Sequence, residues 1–216
     1  MTKDDKQKLG TEELLRVLAQ SQPRAPLFPL WLFCLLAVFV SMICTLSLLG
    51  LRTDAGIQES WAGMAGKTLF LCAIALAAAA GLKKQSAPLP VDKPFMALYV
   101  LLAFLMLLVA AEWLLRPAAD ILAGFAPRNF ATCLLSVTLY GTAGLAALTR
   151  ALRDYAPADS RRAAAVAAIA AGAAGAVGYS LHCRVDSPTF ILVAYGLPIL
   201  ALALAARIFV PRYLRW

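Results

Sequence analysis

The sequence predicts an all-α integral membrane protein: a six-transmembrane-helix bundle, both termini cytoplasmic, with a short N-terminal cytoplasmic helix. Composition gives the class, since 62% of the 216 residues are hydrophobic and only 15% charged, with a mean hydropathy of +0.76. A soluble domain carries about 25% charge and 45–50% apolar residues. Six apolar runs of helical length give the span count. The placement of lysine and arginine gives the orientation.

The segment 1–28 is the one sizeable polar stretch and forms a cytoplasmic unit separate from the six-helix domain, 29–216. Met1 to Gly10 is charged and expected to be disordered. Thr11 reads as an N-cap, with Glu12 and Glu13 in the first turn, where the helix dipole favours acids. Leu14, Val17 and Leu18 then fall at i, i+3 and i+4, and Leu15 widens the stripe. Pro23 and Pro26 end this helix. A helix of roughly three turns is marginal alone in water, so its leucine face needs cover. That cover is either the lipid headgroups, with the helix lying on them, or a docked protein.

The apolar runs fall near Pro29–Leu51, Lys67–Leu82, Phe95–Leu115, Phe130–Thr149, Ala163–Leu181 and Thr189–Phe209. The first is too long for a cleaved signal peptide, and the region before it is acidic as well as basic. The fifth is rich in Ala and Gly. Ala171 with Gly175 and Ala174 with Gly178 have the spacing that lets helix backbones approach closely, inside the bundle or across a homodimer face. Pro198 within the sixth run frees a carbonyl and is expected to kink the helix.

The alternate segments differ sharply in basic residues. One set holds Lys3, Lys6, Lys8, Arg16 and Arg24, then Lys83, Lys84 and Lys93, then Arg150, Arg153, Arg161 and Arg162, then Arg207, Arg212 and Arg215. The other holds only Arg52, Lys67, Arg116, Arg128 and Arg184. Fifteen against five puts both termini in the cytoplasm. The net charge of +8 therefore lies at span ends. Its partner is the bilayer, and no direct nucleic-acid contact is expected.

Chemistry concentrates on the outer side. Cys34, Cys44 and Cys72 lie at lipid depth and behave as small hydrophobes. Cys133 stands in the first turn of the fourth run, and Cys183 follows the fifth, so both sulfurs reach the same face at similar depth. Beside Cys183 is His182, the one histidine in the chain. An inert pair, a structural disulfide, a redox-responsive dithiol and a soft-metal site formed by Cys133, Cys183 and His182 all fit this placement. No other cofactor is suggested. Asp186-Ser187-Pro188 reads as a turn that N-caps the sixth run. Glu112 and Trp113 read as an interfacial anchor pair.

No span carries a charge at mid-depth, which argues against an ion-coupled transporter. Catalytic motifs are missing: there is no phosphate loop, nucleophile elbow or carboxylate dyad, and one histidine limits acid–base schemes. The chain is read as a non-enzyme, against two alternatives: a quinone-coupled membrane thiol–disulfide oxidoreductase and a small-solute transporter. The missing C-x-x-C weakens the first of these.

Several of these pieces together resemble a known family. They are the Thr11–Ala19 helix before a Pro/Arg stretch, a cysteine opening the fourth span, Leu181-His182-Cys183 with Ser187-Pro188-Thr189-Phe190 and Tyr195-Gly196, and the terminal Pro211-Arg212-Tyr213-Leu214-Arg215-Trp216. The arrangement resembles the negative regulator of sigma F family, six-span anti-sigma factors of the bacterial inner membrane. The resemblance implies that Leu14, Leu15, Arg16, Val17 and Leu18 hold an extracytoplasmic-function sigma factor. It also implies that Cys133 and Cys183, with His182 beside them, sense heavy metal or oxidative stress from the periplasm. Where the family often has an aromatic pair, this chain has Ala194 before Tyr195.

Overall fold

A computed structural model describes residues 29–52, 58–86, 95–155, 157 and 159–214; for 58–60 it describes the backbone alone. The N-terminal helix and its Leu14–Leu18 stripe lie outside the described residues. Among those described, the chain is helical and has no strand. The helices are α1 (Leu30–Leu48), α2 (Gln58–Gln85), α3 (Met96–Leu115), the short α4 (Ala118–Ala123), α5 (Pro127–Leu152), α6 (Ser160–Ser180) and α7, which spans Pro188–Arg212. All but α4 are long and apolar enough to cross a membrane, so the chain reads as a multi-pass membrane protein.

Residue size decides which helix is central. Of the apolar window of α6, 89% is buried, against 11% for the leucine-rich α3. Lipid tails are as apolar as leucine, so the centre goes to the helix whose backbone neighbours can approach most closely. A Cβ on Gly175 would stand 2.8 Å from Tyr140 Cβ of α5, and one on Gly172 would stand 2.9 Å from Ile199 of α7. Gly178 lies against Ser41 of α1, whose hydroxyl donates to the Ala174 carbonyl at 3.0 Å. Thr68 of α2 and Ser180 share a hydrogen bond of 2.9 Å. The small-residue stripes of α6 are thus used inside the bundle, and neither is left as a homodimer face.

Short caps set the helix ends. The Asp159 carboxylate accepts from the amides of Arg161 and Arg162 at the start of α6. Ser187 caps α7 by accepting from the Phe190 amide, with Pro188 in the first turn, as the sequence predicts. Gly50, at φ 76°, ends α1 in the left-handed conformation that glycine adopts without penalty.

After α3, Pro117 leads into the short helix α4. Two expectations need correction. Helix α2 does not begin at Lys67 but at Gln58, so Lys67 lies within the helix. The irregularity near Pro198 takes the form of a π-helical segment, Ile191–Tyr195, just before it. Pro198 has no N–H for the Ala194 carbonyl, and the wider turn absorbs the mismatch.

Candidate functional site

The C-terminal ends of α1, α3 and α6 meet the N-terminal ends of α2, α5 and α7 at one end of the bundle, and the turn 181–187 is its centre. Gly50 and Arg52, just past α1, lie along this turn. The Arg52 amide donates to the Leu181 carbonyl at 3.2 Å, and a ring nitrogen of His182 lies 3.0 Å from the Gly50 carbonyl.

Buried ions hold the turn in place. The Lys67 ammonium reaches Asp186 Oδ1 at 2.7 Å, the Cys183 carbonyl at 2.7 Å and the Val185 carbonyl at 3.0 Å. Those three acceptors match its three N–H groups. The Arg52 guanidinium bonds both Asp186 oxygens, at 3.2 and 3.1 Å, and the Arg184 carbonyl at 3.2 Å. The side chains of Arg52 and Lys67 are 2% and 1% exposed, so each charge depends on Asp186. Gly63 leaves the room, since a Cβ there would stand 2.6 Å from Asp186 Oδ2.

Glu112 makes the second polar anchor. It is buried, and its Oε2 accepts from Ser187 Oγ at 3.0 Å, the Thr189 amide at 2.9 Å and Thr189 Oγ1 at 2.7 Å. Trp113 Nε1 donates to Thr189 Oγ1 at 3.1 Å. The pair expected as an interfacial anchor instead fastens α3 to the start of α7. A carboxylate at a helix N-terminus suits the dipole there.

Cys133 and Cys183 meet inside this frame. Both are buried and free, and they lie in one packed cluster with Tyr195. The sulfur of Cys133 lies 3.7 Å from the Ala194 carbonyl, the group that Pro198 leaves without its helical donor. Tyr195 is fully buried within this cluster, and its hydroxyl has no hydrogen-bond partner among the described residues. Phe190 and Tyr179 close the cluster, with ring centroids 6.4 and 6.2 Å from that of Tyr195. The hydrogen bond from Cys133 holds the Cys183 thiol below the ordinary thiol range; burial opposes this, and the Lys67 charge adds to it.

The predicted trio is therefore only partly assembled. The two thiols come together, while the His182 ring is engaged by Gly50 and stacks near Tyr179, with centroids 5.8 Å apart. Among the described residues, no three His, Cys, Asp or Glu side chains are grouped to hold a metal ion. Sequence reasoning missed Lys67, Asp186 and Tyr195. The only signal for them was a basic residue close to an apolar run and an acid in the facing turn.

The family model for the negative regulator of sigma F, NrsF, matches residues 14–216. The chain belongs to this family. Its role is accordingly negative regulation of a sigma factor, a regulatory rather than a catalytic one. The match begins at Leu14, so it takes in the leucine stripe Leu14, Val17 and Leu18. No curated protein and no solved structure matches the chain.

Proposed function

We propose that this member of the NrsF family is an inner-membrane anti-sigma factor that holds an extracytoplasmic-function sigma factor on the cytoplasmic side. The docking element is the N-terminal segment, through Leu14, Leu15, Arg16, Val17 and Leu18. Both termini are cytoplasmic, and the turn with Cys183 faces the periplasm. The lysine and arginine asymmetry supports that orientation.

The observation that carries the sensing part is the burial of Cys133 and Cys183 together in one packed cluster. One sulfur belongs to α5 and the other to the turn between α6 and α7. A two-electron oxidant would take two electrons and two protons from the pair and leave a disulfide, drawing the sulfurs to about 2.05 Å. Two thiolates also suit a soft, thiophilic cation. Either event pulls α5 and the turn together. The close packing of α6 against α1 at Ser41 and Gly178 gives the strain a rigid route inward. Helix α1 follows the docking segment in the sequence. A tenfold release of the sigma factor needs only about 1.4 kcal/mol of coupling.

The test separates holding from sensing. Full-length protein should co-purify with a sigma factor from its own cells, and deletion of residues 1–22 should abolish that. Cys133→Ser with Cys183→Ser should keep the sigma factor bound and lose release under oxidant or heavy metal. Binding that survives the deletion contradicts the docking assignment. Normal release by the double variant contradicts the sensing assignment.

A further inference from the structure

At the thiol end, a cavity of about 650 Å³ opens beside the turn, and its lining includes Arg128, Asn129, Thr132, His182, Cys183 and Arg184. Among the described residues, no aspartate or glutamate lines it. Arg128 and Arg184 are exposed, and among the described residues no carboxylate pairs with either. Asp186, the nearest acid in the chain to Arg184, is already shared by Arg52 and Lys67. Arg128 stands in the first turn of α5, whose unpaired backbone amides add to the positive field. Two guanidinium groups and a side-chain amide around one concave space form a donor set for an oxyanion. At its side lies a buried thiol held toward its thiolate form.

We infer that this cavity is an anion-binding cleft that brings small oxyanions, carboxylates or sulfonates to Cys183 faster than cations of the same size. The inference deepens the sensing role and rests on Cys183 being its reacting thiol. It makes the sensor selective by charge before any sulfur chemistry takes place. A low-dielectric concave site lined by one sign of charge raises the local concentration of the opposite sign by about 10- to 1,000-fold. A lipid phosphate and a free oxyanion share the recognised chemistry, so the two sources need separate arms.

The experiment uses full-length protein in nanodiscs and two methanethiosulfonate reagents of similar size, the anionic sulfonatoethyl and the cationic trimethylammonioethyl forms. In each, the thiolate attacks the sulfenyl sulfur, a mixed disulfide forms and methanesulfinate leaves. Modification at Cys183 is followed by peptide mass spectrometry, with each rate divided by the rate with 2-mercaptoethanol. In phosphatidylcholine discs, the anionic reagent should be favoured by about tenfold or more. The preference should shrink in Arg128→Gln/Arg184→Gln protein and near 1 M salt, where the Debye length falls to about 3 Å. Protection by inorganic sulfate in phosphatidylcholine discs assigns the cleft to free anions. Protection by phosphatidylglycerol discs without sulfate assigns it to a headgroup. Equal rates or a cationic preference overturn the inference while leaving thiol sensing intact, because sensing is read separately as sigma-factor release. A Cys183 that neither reagent modifies overturns it as well.

Discussion

At the thiol end of the bundle, Arg52, Lys67 and Glu112 are buried, and aromatic rings and two sulfurs fill the spaces between helices. At the opposite end, Arg150, Arg161, Arg162, Arg207 and Arg212 lie exposed, and the packed half is mostly alanine and leucine. Polar links there include a Tyr213 carbonyl accepting from exposed Arg153 at 3.1 Å and the Arg162–Asp159 surface pair at 3.1 Å. Both ends close off the same six helices. One is held by groups that cannot lose a partner without leaving a charge in a dry place, the other by groups that water can replace. The first arrangement suits a device with distinct states, because each state must satisfy the same ions; the second merely tolerates change.

Asp186→Asn should produce the largest contrast between the ends. It leaves Lys67 buried without its carboxylate and takes one charged partner from Arg52, a loss worth about 3–5 kcal/mol. Because the Asp186 side chain is 24% exposed, water should offset part of this, and the lower end of the range is expected. Thermal unfolding of the purified protein measures it. At the other end, Asp159→Ala removes the cap of α6 and an exposed ion pair, and should cost about 1 kcal/mol. If the two losses were equal, the difference between the ends would be one of appearance only.

A third prediction concerns reactivity. A free thiol has a pKa of about 8.5 and loses thiolate tenfold for each unit below it. The Cys183 thiol is held lower, so its charged form persists to more acid pH. Its alkylation rate should therefore fall less between about pH 8.5 and pH 6.5 in folded protein than in urea-unfolded protein, with the ordinary thiol pKa as reference. Identical profiles would remove the polar environment from the account.

Much of this was legible in the sequence. Hydropathy gave six spans, because lipid demands long apolar helices. Alternation of the connections brought Cys133 and Cys183 to one end, since a cysteine opening the fourth span and one closing the fifth share a face. The Ala/Gly spacing of α6 announced close packing, and the structure uses it within the bundle. What stayed hidden was the ionic frame. Ending an apolar run at a charge turned Lys67 into a boundary, when the helix continues back to Gln58 and the charge is neutralised by Asp186, which is distant in sequence. Glu112 misled for the same reason: a carboxylate at a span end looks like a surface group until Ser187 and Thr189 are seen to enclose it. Tyr195 entered only through the family resemblance, because nothing local marks a tyrosine hydroxyl that ends up buried among the two cysteines.

The most direct test of the central claim, that the thiol pair governs sigma-factor retention from the far end of the bundle, joins oxidation to release in one sample. Membranes carrying the complex are treated with a thiol oxidant, the Cys133–Cys183 disulfide is quantified by mass spectrometry, and the sigma factor remaining on the membrane is measured. Retention should fall in proportion to disulfide formed, and Cys133→Ser/Cys183→Ser membranes should retain their sigma factor throughout. Full disulfide formation with undiminished retention would contradict the account.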